Sequence, residues 1–326
     1  MADIQLSIAV DHVDHVRDFV DGRIRASGIE VVFCDVGSSQ ARFRMRNFLE
    51  FDVSEAAFGG HVSAVSRGTQ KYTAIPVFPS RVFRHSSFYV RERGSVKTPA
   101  DLKGKRVGLP AWSQTSCIFA KGLMAHEWGV DLASVEWLQA AVYEPGREEH
   151  ARVDIPSGVR CRPEPQKSLT EMLASGEIDC AMTAIPPKNF GDGVVRLFPD
   201  YRPVEEEYYR KTGIFPIMHV MAVRNDVLER HPWVALALYK AFDEAKNRCL
   251  SRLHDPKRSA YPIAWNHDTV RRLTGLFGED LWPYGVKANH TTLDAFLQYA
   301  FEQGVCQRRL KPEEIFPREV QVSRRT

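Results

Sequence analysis

The sequence predicts an α/β protein of two lobes, each a mainly parallel sheet flanked by helices, with a ligand cleft between them. Three observations carry that expectation. The first ninety residues alternate β-prone runs with amphipathic segments, the pattern of a parallel sheet covered on both faces. A second alternating set begins near residue 106. The chain has 326 residues, more than one hydrophobic core ordinarily serves.

Residues 4–10 (IQLSIAV) read as the first strand, followed by a polar loop over 11–15 and a helix over 16–20. Strands follow at 29–33, 52–57 and 73–77, separated by helices at 41–48 and 62–66. Ligands bind beyond the carboxyl ends of such strands, which makes His12, Asp14, His15, Ser54, Glu55 and Arg81 candidates. The stretch PVFPSRVFRHSSFYV (76–90) then sets Arg81, Arg84 and His85 between two apolar runs. Cations there cost desolvation unless an anion or carboxylate answers them. Strand alternation would turn Arg81 and His85 to one face and Arg84 to the other, favouring Arg81 with His85 as the pair that meets a ligand.

Lobe II opens with Pro99 in a first helical turn, Gly104 ending it, and a strand at 106–109. Ser113 and Thr115 precede a helix over 119–128, where free amides and hydroxyls suit a carboxylate, or where either residue simply caps the helix. Strands at 135–138 and 178–183 bracket a Pro-rich loop and a helix over 168–174. The run 212–223 (TGIFPIMHVMAV) is β-prone and carries one histidine, His219, a type of position most often filled by a satisfied core residue. A long amphipathic helix over 231–253 and two more near 269–277 and 291–303 close the chain. The simplest topology has two crossings: lobe I over 1–91, lobe II over 92–213, and a return to lobe I with the terminal helices over 214–326.

Net charge is +3 with no basic stripe, which argues against nucleic acid. No apolar run approaches a membrane span, and nothing at the start reads as a signal peptide. The six cysteines are scattered without a C-x-x-C pair, as in a reducing compartment. A cytoplasmic location is therefore expected, and the terminal SRRT reads as a frayed tail.

DVSEAAF, SRGTQKYTAIPVFPSRVFRHSSFYVR, TPADLKGKRVG, EPGREE, LFPDYRPVEEEYYRKTGIFPIMHV, RHPWVALALYKAFDEAK and WPYG together resemble the 4,5-dihydroxyphthalate decarboxylase family, almost end to end. FPSRVFRH and TGIFPIMH are its specific parts; TPADLKGKRVG is shared with many solute-binding proteins. The resemblance implies a type 2 periplasmic-binding-protein-like fold used as a cytosolic carboxy-lyase of phthalate degradation. Its reaction would convert 4,5-dihydroxyphthalate to 3,4-dihydroxybenzoate and carbon dioxide by ring protonation. The implied partner is a small aromatic dicarboxylate, with no nucleic acid or membrane and with homo-oligomerisation open.

On that reading Arg81 and Arg84 anchor carboxylates, with Ser113 and Thr115 on the facing lobe. His15 and His219 are acid and phenol base, Glu55 orients one of them, and His85 stands in reserve. Ile185 departs from the family, where an arginine often precedes the Pro-Pro pair, so a related hydroxylated aromatic acid is an alternative substrate. No cofactor is expected. The alternatives are a non-catalytic binder of aromatic carboxylates, a relative of thiamine-pyrimidine synthases, whose cysteine cluster is missing here, and a divalent-metal decarboxylase using Asp11, His12, His15, Glu55, His85 and His219.

Overall fold

The computed structural model describes residues 3–146, 149 and 151–321; the SRRT tail and part of the EPGREE loop lie outside them. The first lobe is built in chain order from β1 (Ile4–Ala9), α1 (Asp14–Val20), β2 (Ile29–Phe33), α2 (Ser38–Phe48), β3 (Val53–Ala57), α3 (Phe58–Arg67) and β4 (Tyr72–Arg81). The second contains β5 (Phe88–Arg91), β6 (Arg106–Leu109), α4 (Thr115–Gly122), β7 (Glu136–Gln139), β8 (Arg160–Pro163), α5 (Leu169–Ser175), β9 (Cys180–Met182), β10 (Val194–Arg196) and α6 (Tyr201–Thr212). The chain then returns through β11 (Ile217–Arg224) to α7 (Asn225–Arg230), α8 (Val234–His254), α9 (Asn266–Phe277) and α10 (His290–Glu302).

The first sheet has the order β2-β1-β3-β11-β4 and the second β10-β5-β9-β6-β7-β8. Both are mainly parallel, with one reversed strand in each. β11 is antiparallel to β3 and β4, and β5 is antiparallel to β9 and β10. Each strand that follows a crossing enters its sheet from the opposite end, which reverses its direction. The first crossing also comes earlier than residue 91. Phe88–Arg91 pairs with β9 and β10, so the chain changes lobes within 82–87 and changes back within 213–216. A β-prone run carries the same pattern whichever sheet receives it, which is why the boundary was misplaced.

The apolar core runs through both lobes. Phe58 of α3 stacks on Phe296 of α10 with ring centres 4.6 Å apart, and Phe119 of α4 stacks on Phe296 at 4.7 Å. The last helix thus pins a first-lobe helix to a second-lobe helix. Trp112 extends the joint by donating its indole N–H to the Gln303 carbonyl at 2.8 Å. Among the described residues no helix is long and apolar enough to cross a membrane.

Gly122 marks the tightest point of the α4–α10 packing, since a β-carbon there would stand 2.3 Å from the ring of Tyr299. That ring is itself held against Phe119 and His126 and has little room to turn. Gly122→Ala gains about 1 kcal/mol of helix propensity but overpacks this contact at a cost of about 1–3 kcal/mol. Urea unfolding should therefore show a net loss of stability; a gain would mean that the joint is looser than the packing implies.

Candidate active site

The antiparallel entry of β11 brings its first residues to the carboxyl ends of β3 and β4. The register sets His219 opposite Ala57 and Ser80, and Met221 opposite Glu55, with irregular pairing to β4 on both sides of His219. Across this diagonal, His219 Nδ1 meets Glu55 Oε1. Glu55 is buried. The Ser38 hydroxyl donates to its Oε1 at 2.8 Å, the Asp11 backbone N–H donates to Oε2 at 3.3 Å, and Arg42 Nη1 lies 3.4 Å from Oε1. Burial alone would raise this carboxyl; His219, Arg42 and Ser38 outweigh it and hold the pKa at about 2. The imidazole of His219 is lowered by burial, with Glu55 pulling the other way. A fixed carboxylate therefore backs an imidazole whose side chain is 20% exposed.

The two arginines differ. Arg81, at the end of β4, donates from Nη2 to the Phe215 carbonyl at 2.9 Å and from Nη1 to the Pro283 carbonyl at 3.2 Å. Its guanidinium also lies over the Phe215 ring at 4.5 Å. Arg81 thus ties the first crossing to the second and to the WPYG loop. Arg84 is buried as deeply, yet among the described residues its guanidinium has neither a hydrogen bond nor an ion pair. Burial lowers its pKa to about 10, with Glu205 and Cys117 acting against that shift. Its charge bears on His219. The strand-parity argument that favoured Arg81 with His85 does not apply, because β4 ends at Arg81 and His85–Ser87 is a 3-10 turn.

His85 turns into the second lobe, where Trp128, Phe198 and Tyr208 surround it with ring centres 5.1–5.9 Å away. Burial pulls its pKa down to about 4, and Glu205 Oε1 stands 3.9 Å from its Nδ1. This is the setting of a packed ring. His15, in the first turn of α1, lies against Trp282 at 5.2 Å and Tyr284 at 6.4 Å. Burial lowers it to about 4 against the pull of the Pro79 carbonyl and Glu55, and its Nε2 has no partner. His15 thus stands on the Glu55 side of the cleft, whereas His85 does not.

On the facing lobe the amides before α4 do hold a carboxylate, but it belongs to the chain. Glu149 accepts from the Trp112 N–H at 2.6 Å, from the Ser113 N–H at 3.0 Å and from the Ser113 hydroxyl. Thr115 instead accepts from the Gly59 N–H at 2.9 Å, joining the starts of α3 and α4. Its hydroxyl is a bridge between lobes. Ile185 follows β9 and is half-exposed. Of the six residues weighed as metal ligands, His12 turns away to pair with Asp21 at 2.8 Å and His85 sits among aromatic rings, leaving Asp11, His15 and His219 toward Glu55. Among the described residues, no three His, Cys, Asp or Glu side chains are disposed to hold a metal ion.

Sequence reasoning missed Ser38, Arg42 and Glu149. Ser38 and Arg42 stand four apart on α2, a spacing that puts them on one face. Nothing in that polar helix shows which face meets the cleft.

Two measurements test these assignments. Arg81→Met strands two backbone carbonyls, each costing about 1–3 kcal/mol if left unsatisfied. Arg84→Met removes a buried charge that has no partner, a change that is neutral or stabilising. Urea midpoints should separate the two variants in that order, and equal midpoints would remove Arg81 from its bracing role. The second measurement concerns acid. His15, His61 and His85 are each lowered by burial from 6.5 to about 4, so between those values the unfolded chain binds more protons than the folded one. These rings make stability rise with pH across this window, by up to about 1.4 kcal/mol per pH unit for each imidazole, and together they outweigh Glu205, whose carboxyl burial raises to about 7 and which acts in the opposite direction. A flat urea midpoint from pH 6.5 to 4 would contradict the burial of these rings.

No protein-family model matches the chain. Among solved structures, the periplasmic aliphatic sulphonate binding protein SsuA from Escherichia coli is 12% identical with a TM-score of 0.52, covering 98% of this chain and 99% of that one. A DSZB mutant in complex with biphenyl-2-sulfinic acid is 15% identical with a TM-score of 0.52, covering 98% of both chains. These likenesses establish the periplasmic-binding-protein fold. Two curated relatives carry the name 4,5-dihydroxyphthalate decarboxylase. That of Pseudomonas putida is 32% identical over 214 residues, 64% of this chain and 83% of the relative. That of Comamonas testosteroni is 35% identical over 320 residues, 97% of each chain. On that likeness, which spans 97% of its residues, the chain belongs to the 4,5-dihydroxyphthalate decarboxylase family.

Proposed function

We propose that this carboxy-lyase converts 4,5-dihydroxyphthalate to 3,4-dihydroxybenzoate and carbon dioxide, in the cytoplasm and without a cofactor. The observation that carries the reading is the buried Arg84 guanidinium, which lacks a partner among the described residues and acts electrostatically on His219. A guanidinium in that state suits a substrate carboxylate, which would complete it with a bidentate pair. The imidazole beside it is placed to move a proton.

The substrate is symmetric, so each carboxylate stands para to a phenol. His219 delivers a proton to the ring carbon that bears the departing carboxylate. The carbon–carbon bond then breaks, its electron pair restores the aromatic ring, and carbon dioxide leaves. Glu55, fixed by Ser38, Arg42 and the Asp11 amide, orients His219 and stabilises its protonated form. His15, held neutral by burial, is assigned to the para phenol, whose proton it accepts as charge builds in the ring and returns to the phenolate once carbon dioxide has left. Arg81 supports the site by joining the two crossings.

The test is turnover of 4,5-dihydroxyphthalate in heavy water. The product should carry one deuterium at the position the carboxylate left, and His219→Asn should lower kcat by about 10²–10⁴ while phthalate, which lacks the phenols, still binds. Product without deuterium at that carbon, or normal turnover by His219→Asn, would sink the assignment.

A further inference from the structure

Lys121 has no role in the chemistry above and is fully buried in α4. Its Nζ donates to the Trp112 carbonyl at 2.9 Å and lies 3.3 Å from the centre of the Trp112 ring. Among the described residues it has no ion pair within contact distance, although the Glu149 carboxylate is near enough to favour its charged form. A buried ammonium without a paired carboxylate is costly, and its single hydrogen bond goes to a particular peptide. The Trp112 carbonyl and the Ser113 N–H are two ends of the same planar amide. A cation at the oxygen draws electron density toward it and strengthens the N–H at the other end as a donor. That N–H, with the Trp112 N–H and the Ser113 hydroxyl, is what grips the Glu149 carboxylate.

The surroundings place this receptor in the seam between the lobes. The Ser113 carbonyl comes so close to α3 that a β-carbon on Gly59 would lie 2.6 Å from it, and Gly59 begins only four residues after Glu55. Cys117, in the first turn of α4, lies near enough to Arg84 for each to act on the other's pKa. The receptor thus lies against the start of α3, and the helix that follows it comes near Arg84, whose charge bears on His219.

We propose that the Trp112–Ser113 peptide, primed by Lys121, is a second carboxylate subsite, which Glu149 fills until a dicarboxylate ligand displaces it. Lys121 is then a positioning residue that acts through the peptide, and Glu149 is an internal competitor that sets how tightly diacids bind relative to monoacids. The ligand class rests on the decarboxylase reading, in which one carboxylate pairs with Arg84 and the other needs a partner. The subsite holds the carboxylate that stays, since the one that departs must leave its partner behind.

Binding of phthalate and of benzoate, measured by calorimetry, tests the subsite without turnover, because neither compound carries the phenol that the reaction requires. Glu149→Ala empties the receptor and should tighten phthalate binding about tenfold, the scale of one charge-assisted hydrogen bond, while benzoate affinity stays the same. Adding Lys121→Met to Glu149→Ala should cancel that gain for phthalate and again leave benzoate alone. Thermal melts of all variants confirm folding, and Glu149→Ala alone decides the matter if the lysine variant does not fold. Unchanged or weaker phthalate binding by folded Glu149→Ala overturns the proposal, as do equal gains for both acids. Failure of the decarboxylase reading would show separately, as absence of carbon dioxide release from 4,5-dihydroxyphthalate.

Discussion

A carboxylate taken out of water has to be answered, and Glu55 is where this fold meets that demand. The cost of burying an ion is several kcal/mol even after relaxation, so its oxygens must find donors from whatever elements lie nearby. They find Ser38 and Arg42 on α2, the Asp11 amide after β1, and His219 on β11. Those donors come from three separate stretches of chain, and one of them arrives only after the excursion through the second lobe. Glu55 therefore cannot be satisfied until the return strand is in place. The local chemistry and the two-crossing topology depend on each other.

The same dependence shapes the way the lobes are joined. Binding proteins of this architecture use a cleft between two bodies, and hinge closure is one way such clefts capture a ligand. Here the bodies are also tied away from the crossings, by the Phe58–Phe296–Phe119 stack and by Trp112 on Gln303. Phe83, Tyr209, Phe215 and Phe277 pack around the crossings themselves. A binder gains from a mobile hinge, whereas proton transfer to carbon gains from groups fixed within a fraction of an ångström. The extra joints favour the second requirement.

Much of this was legible in the sequence. The alternation of the first ninety residues and the apolar run around His219 gave the strands, and the polar groups after the strands gave Glu55, whereas Arg84 and His219 became candidates only through the family resemblance. What the sequence could not show was how each charge is answered. Arg81 and Arg84 look alike in SRVFRH, yet one is used up by backbone carbonyls and the other is not, because β4 stops at Arg81 and the next residues turn. His85 looks like a site residue until Trp128, Phe198 and Tyr208 arrive from distant positions to enclose it. The carboxylate receptor at Ser113 was readable from its amides and hydroxyl. Its occupant was not, since Glu149 comes from a loop whose only visible signal was turn chemistry. Partnership across long sequence separations decides each of these cases, and no local pattern records it.

The protonation states lead to a last point about how binding and chemistry are linked. In the empty site the ring of His219 is kept from charging by burial and by the nearby Arg42 and Arg84, although Glu55 favours the charged form. Delivery of a proton to the ring needs the charged form of that imidazole. A substrate with two carboxylates changes the balance, because its negative charge neutralises Arg84 and favours an imidazolium beside it. On the mechanism proposed above, binding the dianion would favour the protonated form of His219. A monoanion brings half the charge and a neutral aromatic brings none, so discrimination among ligands and readiness for catalysis come from one electrostatic source. On this argument the unpaired arginine serves the reaction twice, first by drawing in the carboxylate and then, once neutralised, by releasing its hold on the pKa of His219.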